Sequence, residues 1–198
     1  MARPRGYERD DVIDKAMELF WRVGYEGAHL AALVQHTGLN RFSLYKEFGG
    51  KAGLFEAALE RFVGFLLKQY RAALTRQPMG LENIETNLRN LQYGSEYYGC
   101  FMLNTLTQRH TVPDGAYHRA VEAAAEIEAL YHANLVSAAA RDQVDGASNL
   151  AGLGKMLQTV DQGLHIQGLA GTSDVQKDRV ITAMMSLLRR GEASQPPV

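Results

Sequence analysis

The sequence predicts an all-α fold, with a three-helix helix-turn-helix head followed by a six-helix body. Three observations lead there. Apolar residues recur at spacings of three and four through nearly the whole chain. No segment shows the strict apolar-polar alternation of a half-buried strand. Gly and Pro clusters cut the chain into nine segments of helical length, and no internal repeat or low-complexity block complicates that reading.

The first helix is expected from about Asp11 to Val23, with Val12, Ala16, Leu19, Phe20 and Val23 inward, acidic residues in its first turn and Gly24 as its stop. A short second helix covers about Leu30 to His36, with Leu30, Leu33 and Val34 inward, and ends at Thr37-Gly38. Asn40 is a good N-cap for a third helix from Arg41 to Phe48, because its side-chain oxygen can accept from a free first-turn amide. Gly49-Gly50 breaks the chain and marks the expected seam, with residues 1–50 as the head and 51–198 as the body.

In the body, Lys51 begins a long helix to about Tyr70, burying Leu54, Phe55, Ala58, Phe62, Phe65 and Leu66. After Gln77-Pro78-Met79-Gly80, a fifth helix carries Leu81, Ile84, Leu88 and Leu91. A sixth is expected from about Cys100 to Arg109, and Pro113-Asp114-Gly115 opens a seventh that reaches about Ala140. The eighth, about Asn149 to Leu169, has Leu150, Leu153, Leu157, Val160 and Leu164 at helical spacing. Ser173-Asp174-Val175-Gln176 is a capping-box pattern that starts a ninth, which buries Val180, Ile181, Met184, Met185 and Leu188. The tail after Gly191 is expected to be disordered.

Composition bounds the function without naming it. Of 198 residues, 46% are apolar and 22% charged, the balance of a globular chain. No stretch approaches the roughly 20 uninterrupted apolar residues of a membrane span, and the N-terminus lacks the apolar run of a secretory signal, so no membrane association and a cytoplasmic location are expected. Cys100 is the sole cysteine, which excludes an internal disulfide and a cysteine-based zinc site. His110, His118 and His132 have no i, i+4 pairing among themselves, and His36 and His165 stand isolated, so neither a metal nor a cofactor is expected. Net charge is −1 and gives no hint of a polyanionic partner. Residues 1–51 hold eight Lys and Arg against seven Asp and Glu, so placement matters more than sum.

Two short helices joined by a tight Gly-containing turn make a helix-turn-helix, whose second helix reads base edges in the DNA major groove. With Leu44 and Phe48 inward, a step of about 100° per residue turns Phe42 and Lys46 outward and leaves Ser43 and Tyr45 on the flanks. An ammonium, a hydroxyl, a phenol and an apolar group suited to a thymine methyl are thereby offered to double-stranded DNA. The Arg3-Pro4-Arg5 arm is either a minor-groove contact, drawn by the negative potential of narrow tracts, or a solubilising tail. On the pattern alone, any αα-hairpin with a Gly turn competes with this reading.

From Ala16 through Leu59 the sequence resembles the DNA-binding domain of the TetR/AcrR family of regulators. The resemblance rests on Ala16, Leu19-Phe20, Gly24-Tyr25, Leu30, Leu33, the Thr37-Gly38-Leu39 turn, Leu44-Tyr45, Phe48 and Lys51. It implies that Tyr45 and Lys51 contact backbone phosphates and that Arg41, Phe42 and Ser43 face the bases. It further implies a C-terminal body that binds a small effector and dimerises through the last two long helices. Two positions depart from the family pattern. Ala28-His29 stands where Ser or Thr usually caps the second helix and touches phosphate. Glu47 stands where an aromatic or His is common, and is expected to accept from cytosine or to pair with a Lys.

Tyr97 to Thr105 resembles the Gly-Cys, aliphatic, Asn-Thr opening of the sixth helix in one branch of the family, which brings in Asn104 and Cys100. Some relatives there respond to electrophiles through a cysteine, and a thiol at a helix N-terminus gains thiolate character from the dipole. Cys100 is therefore either a sensor or a small packing residue. Tyr93, Tyr97, Phe101, Tyr117 and Tyr131 suit an apolar pocket with a few polar handles, and equally an ordinary core. The ligand candidates are thus Tyr97, Cys100, Phe101, Asn104 and Tyr131, for an effector of unknown identity. The function expected is that of a homodimeric repressor released from a palindromic operator by a small molecule. The competing class is an all-α enzyme or carrier, for which the sequence supplies no catalytic constellation.

Overall fold

The computed structural model describes residues 7–93 and 96–189; Arg3 and Arg5 of the basic arm and the tail after Gly191 lie outside them. The described residues contain nine α-helices and no strand. These are α1 (Arg9–Gly27), α2 (Leu30–Thr37), α3 (Arg41–Phe48), α4 (Lys51–Leu74), α5 (Leu81–Arg89), α6 (Phe101–Thr107), α7 (Asp114–Ala140), α8 (Leu150–Leu169) and α9 (Asp174–Leu188). None is long and apolar enough to cross a membrane.

Packing divides the chain into two compact units. One groups the described residues up to Leu66 with Cys100–Ala123; the other groups the described residues of Leu67–Gly99 with those from Ala124 onward. Residues 51–66 and 100–123 belong to the same compact unit as the first three helices.

In the first unit, α1 buries Val12, Ile13, Ala16 and Phe20 at helical spacing. Its helical dihedrals break at Gly24 (φ 74°, ψ 174°), where a left-handed φ favours glycine, and a last turn is closed by Ala28 N–H on the Gly24 carbonyl. Val23, expected inward, is 44% exposed because the chain leaves the helical path at the next residue. The core is an aromatic cluster. The ring of Phe55 meets Phe20 edge-on at 4.9 Å and Phe101 at 5.4 Å, and Phe62 meets Trp21 at 5.1 Å and Phe101 at 5.7 Å. Such edge-to-face pairs each add about 0.5–1.5 kcal/mol beyond the apolar area they bury.

The buried stripe of α4 changes face along its length, from Leu54, Phe55, Ala58 and Phe62 to Val63, Leu67, Tyr70 and Leu74. Phe65 falls off the second face and is exposed, against expectation. In the second unit Val180 likewise lies at the edge of the inward stripe of Lys177, Ile181, Met184, Met185 and Leu188, and is half exposed. Three buried polar side chains order that unit. Asn134 Nδ2 donates to the Leu74 carbonyl (2.7 Å) while its Oδ1 accepts from Gly80 N–H (3.0 Å). The Lys177 ammonium donates to the carbonyls of Arg89, the last residue of α5, and of Leu91 just beyond it, and pairs with Asp174 at 2.9 Å. Gln158 Nε2 donates to the Ala124 carbonyl. The capping box expected at Ser173 and Gln176 is formed in both directions.

Candidate nucleic-acid interface

The turn between α2 and α3 is held by its own short side chains. Thr37 Oγ1 donates to the Leu33 carbonyl (2.6 Å) and accepts from Leu39 N–H (3.2 Å), while Gly38 takes the left-handed conformation (φ 72°) that ends α2. Leu39 is buried and pins the turn to the core. Asn40 Oδ1 accepts from Ser43 N–H at 2.9 Å, which fixes the first turn of α3 as the spacing requires.

Leu44 and Phe48 are buried, so the opposite face of α3 points to solvent. Phe42 is 77% exposed, a large uncovered apolar ring, and Arg41, Tyr45 and Lys46 are exposed beside it. Ser43 is half-buried. The Arg41 guanidinium lies 5.9 Å from the Tyr45 ring centroid. α3 ends on Gly49 (φ 74°), and Gly50 (φ 125°) brings the backbone against the Tyr45 ring, so that a Cβ there would meet Cε1 at 3.2 Å.

Lys51 is the first residue of α4. Its ammonium sits 4.4 Å from the Tyr25 ring centroid and 3.4 Å from the Glu26 carbonyl oxygen. Partial burial there lowers its pKa, against the opposing pull of the Glu26 carboxylate. Tyr25 is placed in turn by Gln108, just beyond α6, whose Oε1 accepts from Tyr25 N–H at 3.2 Å. Gln108 Nε2 donates back to the Asn104 carbonyl (3.0 Å). A side chain at Gly24 would crowd this bridge, since its Cβ would lie 3.0 Å from Gln108 Oε1.

Both departures noted in the sequence have structural consequences. α2 has His29 at its N-cap and no side-chain hydrogen bond there, so Ala28-His29 leaves the helix start without a side-chain cap. Glu47 does not face outward toward a base. Its side chain is 15% exposed, pairs with Arg9 at 3.5 Å and accepts from the Tyr7 hydroxyl at 3.5 Å, because its position on α3 turns back toward the start of α1.

The ligand candidates separate by unit. Cys100, Phe101 and Asn104 belong to the first. Cys100 is 4% exposed at the N-cap of the two-turn α6, an environment that suits packing better than an accessible thiol. Phe101 lies inside the aromatic cluster. Tyr97 and Tyr131 belong to the second unit. The Tyr97 hydroxyl is 2.5 Å from His165 Nδ1, so His165 is not isolated, and burial lowers its pKa to about 4. His36 likewise has a neighbour, Glu18 at 3.5 Å. Tyr131 is fully buried; Asn87 Nδ2 donates to its hydroxyl (2.9 Å), and that hydroxyl bonds the carboxyl group of Asp161.

Asp161 is a residue that the sequence pattern does not single out. It accepts from the Tyr70 hydroxyl at 2.7 Å, and burial raises its pKa to about 7 even though the hydrogen bonds from Tyr70 and Tyr131 pull it down. Tyr93 donates to the Leu164 carbonyl (2.6 Å) and has its own pKa raised to about 12 by burial, then by Asp161 and Asp174. The available signal is spacing: Asp161 is four residues after Leu157 and three before Leu164, on the inward stripe of α8. Among the described residues no group of three or more His, Cys, Asp or Glu could hold a metal ion.

Comparison with known proteins agrees with this geometry. The family model described as bacterial regulatory proteins, tetR family, matches residues 12–58. The chain is 30% identical over 176 residues to the HTH-type transcriptional repressor ComR of Escherichia coli (strain K12), covering 86% of this chain and 84% of that one. It is 39% identical over 62 residues to the HTH-type transcriptional repressor BdcR of the same organism, covering 31% of this chain and 32% of BdcR. A cysteine-substituted form of the TetR family transcriptional regulator CifR, solved with 26bp double-strand operator DNA, superposes with a TM-score of 0.82 at 26% identity, over 94% of this chain and all of that one. A TetR family regulator from Cytophaga hutchinsonii shares the fold with a TM-score of 0.80 at 18% identity, over 93% and 96% of the two chains. By its helix-turn-helix, by its all-helical architecture among the described residues and by similarity that covers 86% of its length, this chain belongs to the tetR family of bacterial regulatory proteins.

Proposed function

We propose that the protein is a homodimeric transcriptional repressor that binds a palindromic operator through α3 and is released by a small-molecule effector. The observation that carries this reading is the exposed face of α3: Arg41, Phe42, Tyr45 and Lys46 project from a helix fixed behind by Leu44 and Phe48. A relative at 26% identity was solved on operator DNA, and ComR, matched over most of its length, is named a repressor. Arg41, Phe42 and Ser43 read bases in this scheme, while Tyr45, Lys46 and Lys51 hold phosphates and fix register. Arg3 and Arg5 are assigned to the adjacent minor groove. The boundary is assigned to residues 50 and 51, with the DNA-binding head before it and the effector-binding and dimerisation body after it, whose first residue, Lys51, still reaches phosphate.

Two recognition helices must lie about 34–36 Å apart to enter successive major grooves, so a dimer implies a two-fold symmetric site. α8 and α9 supply an apolar surface for that dimer. Val160, Gly163, Leu164, Gln167, Thr172, Gln176, Lys177 and Val180 line a groove, and Ile166, Leu169, Val175 and Leu187 are exposed on the same two helices. Release requires an effector that prefers the conformation with the wrong spacing. Within the first unit the route to the DNA face is short. Displacing Gln108 moves Tyr25, and Tyr25 carries the Lys51 ammonium.

Electrophoretic mobility shift on the DNA flanking the protein's own gene, with salt varied, tests the DNA face. Lys51→Ala is expected to weaken binding on all sequences and to reduce the slope of log affinity against log salt by about one. Ser43→Ala is expected to alter sequence preference more than salt dependence. Equally weak, salt-insensitive binding by wild type and Lys51→Ala would favour an all-α carrier instead.

A further inference from the structure

The second unit contains one polar atom that its packing does not satisfy. Asp161 Oδ1 is buried with no hydrogen-bond partner among the described residues. Native interiors rarely leave such an atom, and this unit otherwise pairs its buried polar groups closely: Asn134, Gln158 and Lys177 all reach backbone carbonyls. The Asp161 carboxyl group is otherwise held by donors. Tyr70 donates to Oδ2, Tyr131 bonds the same carboxyl group, and Asn87 donates to Tyr131, which leaves the Tyr131 proton for Asp161. Oδ2 is thus held by Tyr70, and no hydrogen bond among the described residues reaches Oδ1.

We propose that Asp161, held by Tyr70, Tyr131 and Asn87, is the recognition point for an effector of one chemical class: a small organic cation with N–H donors, such as a protonated amine or an amidinium. The proposal rests on the effector-responsive reading given above and assigns that effector its chemistry. A carboxylate offers only acceptors, so its partner must donate. The titratable groups around it are the phenols of Tyr70 and Tyr131, with Tyr93 from the segment after α5 and the neutral His165 further along α8, and none of these carries a compensating positive charge. A buried carboxylate without a counter-charge is costly, and a cation that also hydrogen-bonds repays that cost through a charge-assisted bond. Tyrosine rings add favourable faces for a cation, and Tyr70 and Tyr131 already meet edge-on at 6.5 Å. Asp161 is only 3% exposed, so a ligand must part α4, α7 and α8 where these side chains meet, and that displacement is what biases the conformation.

The test uses the full chain and calorimetric titration with benzylammonium and benzamidinium, with benzyl alcohol as the neutral control. Saturable binding of the cations is expected, at least about ten-fold tighter than the alcohol and weakened at least about ten-fold in Asp161→Asn. Should that variant fail to fold, the wild type alone decides: cation affinity is expected to fall on acidification from about pH 8 to pH 6, as Asp161 takes up a proton while the amine keeps its own. No saturable cation binding, equal affinity for the alcohol, equal affinity in Asp161→Asn, or pH-independent binding would overturn the proposal. A mobility shift run alongside separates the two readings. Cation binding that leaves DNA affinity unchanged supports the site and counts against effector release. DNA binding without cation binding overturns the site alone.

Discussion

Replacing Gly53 by Ala is expected to dislodge the recognition helix and abolish operator binding. A Cβ at Gly53 would lie 1.9 Å from the Phe48 carbonyl oxygen, a backbone atom at the end of α3. No side-chain rotation relieves that contact. Either the last turn of α3 or the first of α4 must move, and Phe48 anchors one while Leu54 and Phe55 anchor the other. Overpacking of this kind costs about 1–3 kcal/mol and occasionally more, and a clash with backbone belongs at or above the top of that range. Gly64, in the same helix, is the internal control. It is exposed, and a methyl group on its Cα would meet nothing within 4 Å, so Gly64→Ala is expected to stabilise by about 0.8–1.0 kcal/mol through helix propensity alone. Urea unfolding of the two variants should move in opposite directions. A Gly53→Ala protein with wild-type stability and operator affinity would contradict the packing described for the α3–α4 corner.

The second large effect is a pair of opposed pH dependences within the second unit. Asp161 has its pKa raised from 3.8 to about 7, so between those values the folded protein holds a proton that the unfolded chain has lost. Stability from this group is complete at low pH and is lost as pH rises through about 7. His165 has its pKa lowered from 6.5 to about 4, so the unfolded chain gains a proton first as pH falls. Its contribution is present above pH 6.5 and is lost toward about pH 4. Over most of that window the two oppose each other, each on the order of 3–4 kcal/mol, because a tenfold change in proton affinity is worth about 1.36 kcal/mol. Relative to wild type, Asp161→Asn is expected to lose stability on acidification from about pH 7 to 4, and His165→Gln to gain it. Urea titrations at stepped pH measure both differences. Parallel pH profiles for wild type and either variant would refute the assigned burial.

Much of the head is legible in the sequence because its signals are local. Asn40 caps α3, Gly38 and Gly49 end helices in the left-handed conformation, and Leu44 and Phe48 at a spacing of four turn Phe42 and Lys46 outward. Each depends on a few neighbouring residues. Glu47 misleads because its partners, Tyr7 and Arg9, are about forty residues away and only the tertiary fold brings them close. Phe65 and Val180 mislead because periodicity gives a stripe but not the angle through which the stripe turns along a helix. Asp161 stays hidden because a carboxylate in an amphipathic helix reads as solvated face, although its spacing from Leu157 and Leu164 places it inward. The role of Gln108 has no sequence signal at all, since it depends on a side chain reaching a backbone amide across eighty-three positions.

Footprinting on the region upstream of the protein's own gene tests whether α3 enters the DNA major groove in a two-fold symmetric dimer. Two protected half-sites related by a dyad are expected, with centres about 34–36 Å or one helical turn apart, or a multiple of that spacing. Protection of both half-sites is expected to disappear together in the Lys46→Ala, Lys51→Ala double variant. Protection of a single asymmetric stretch, or protection unaffected by loss of both lysines, would contradict that arrangement.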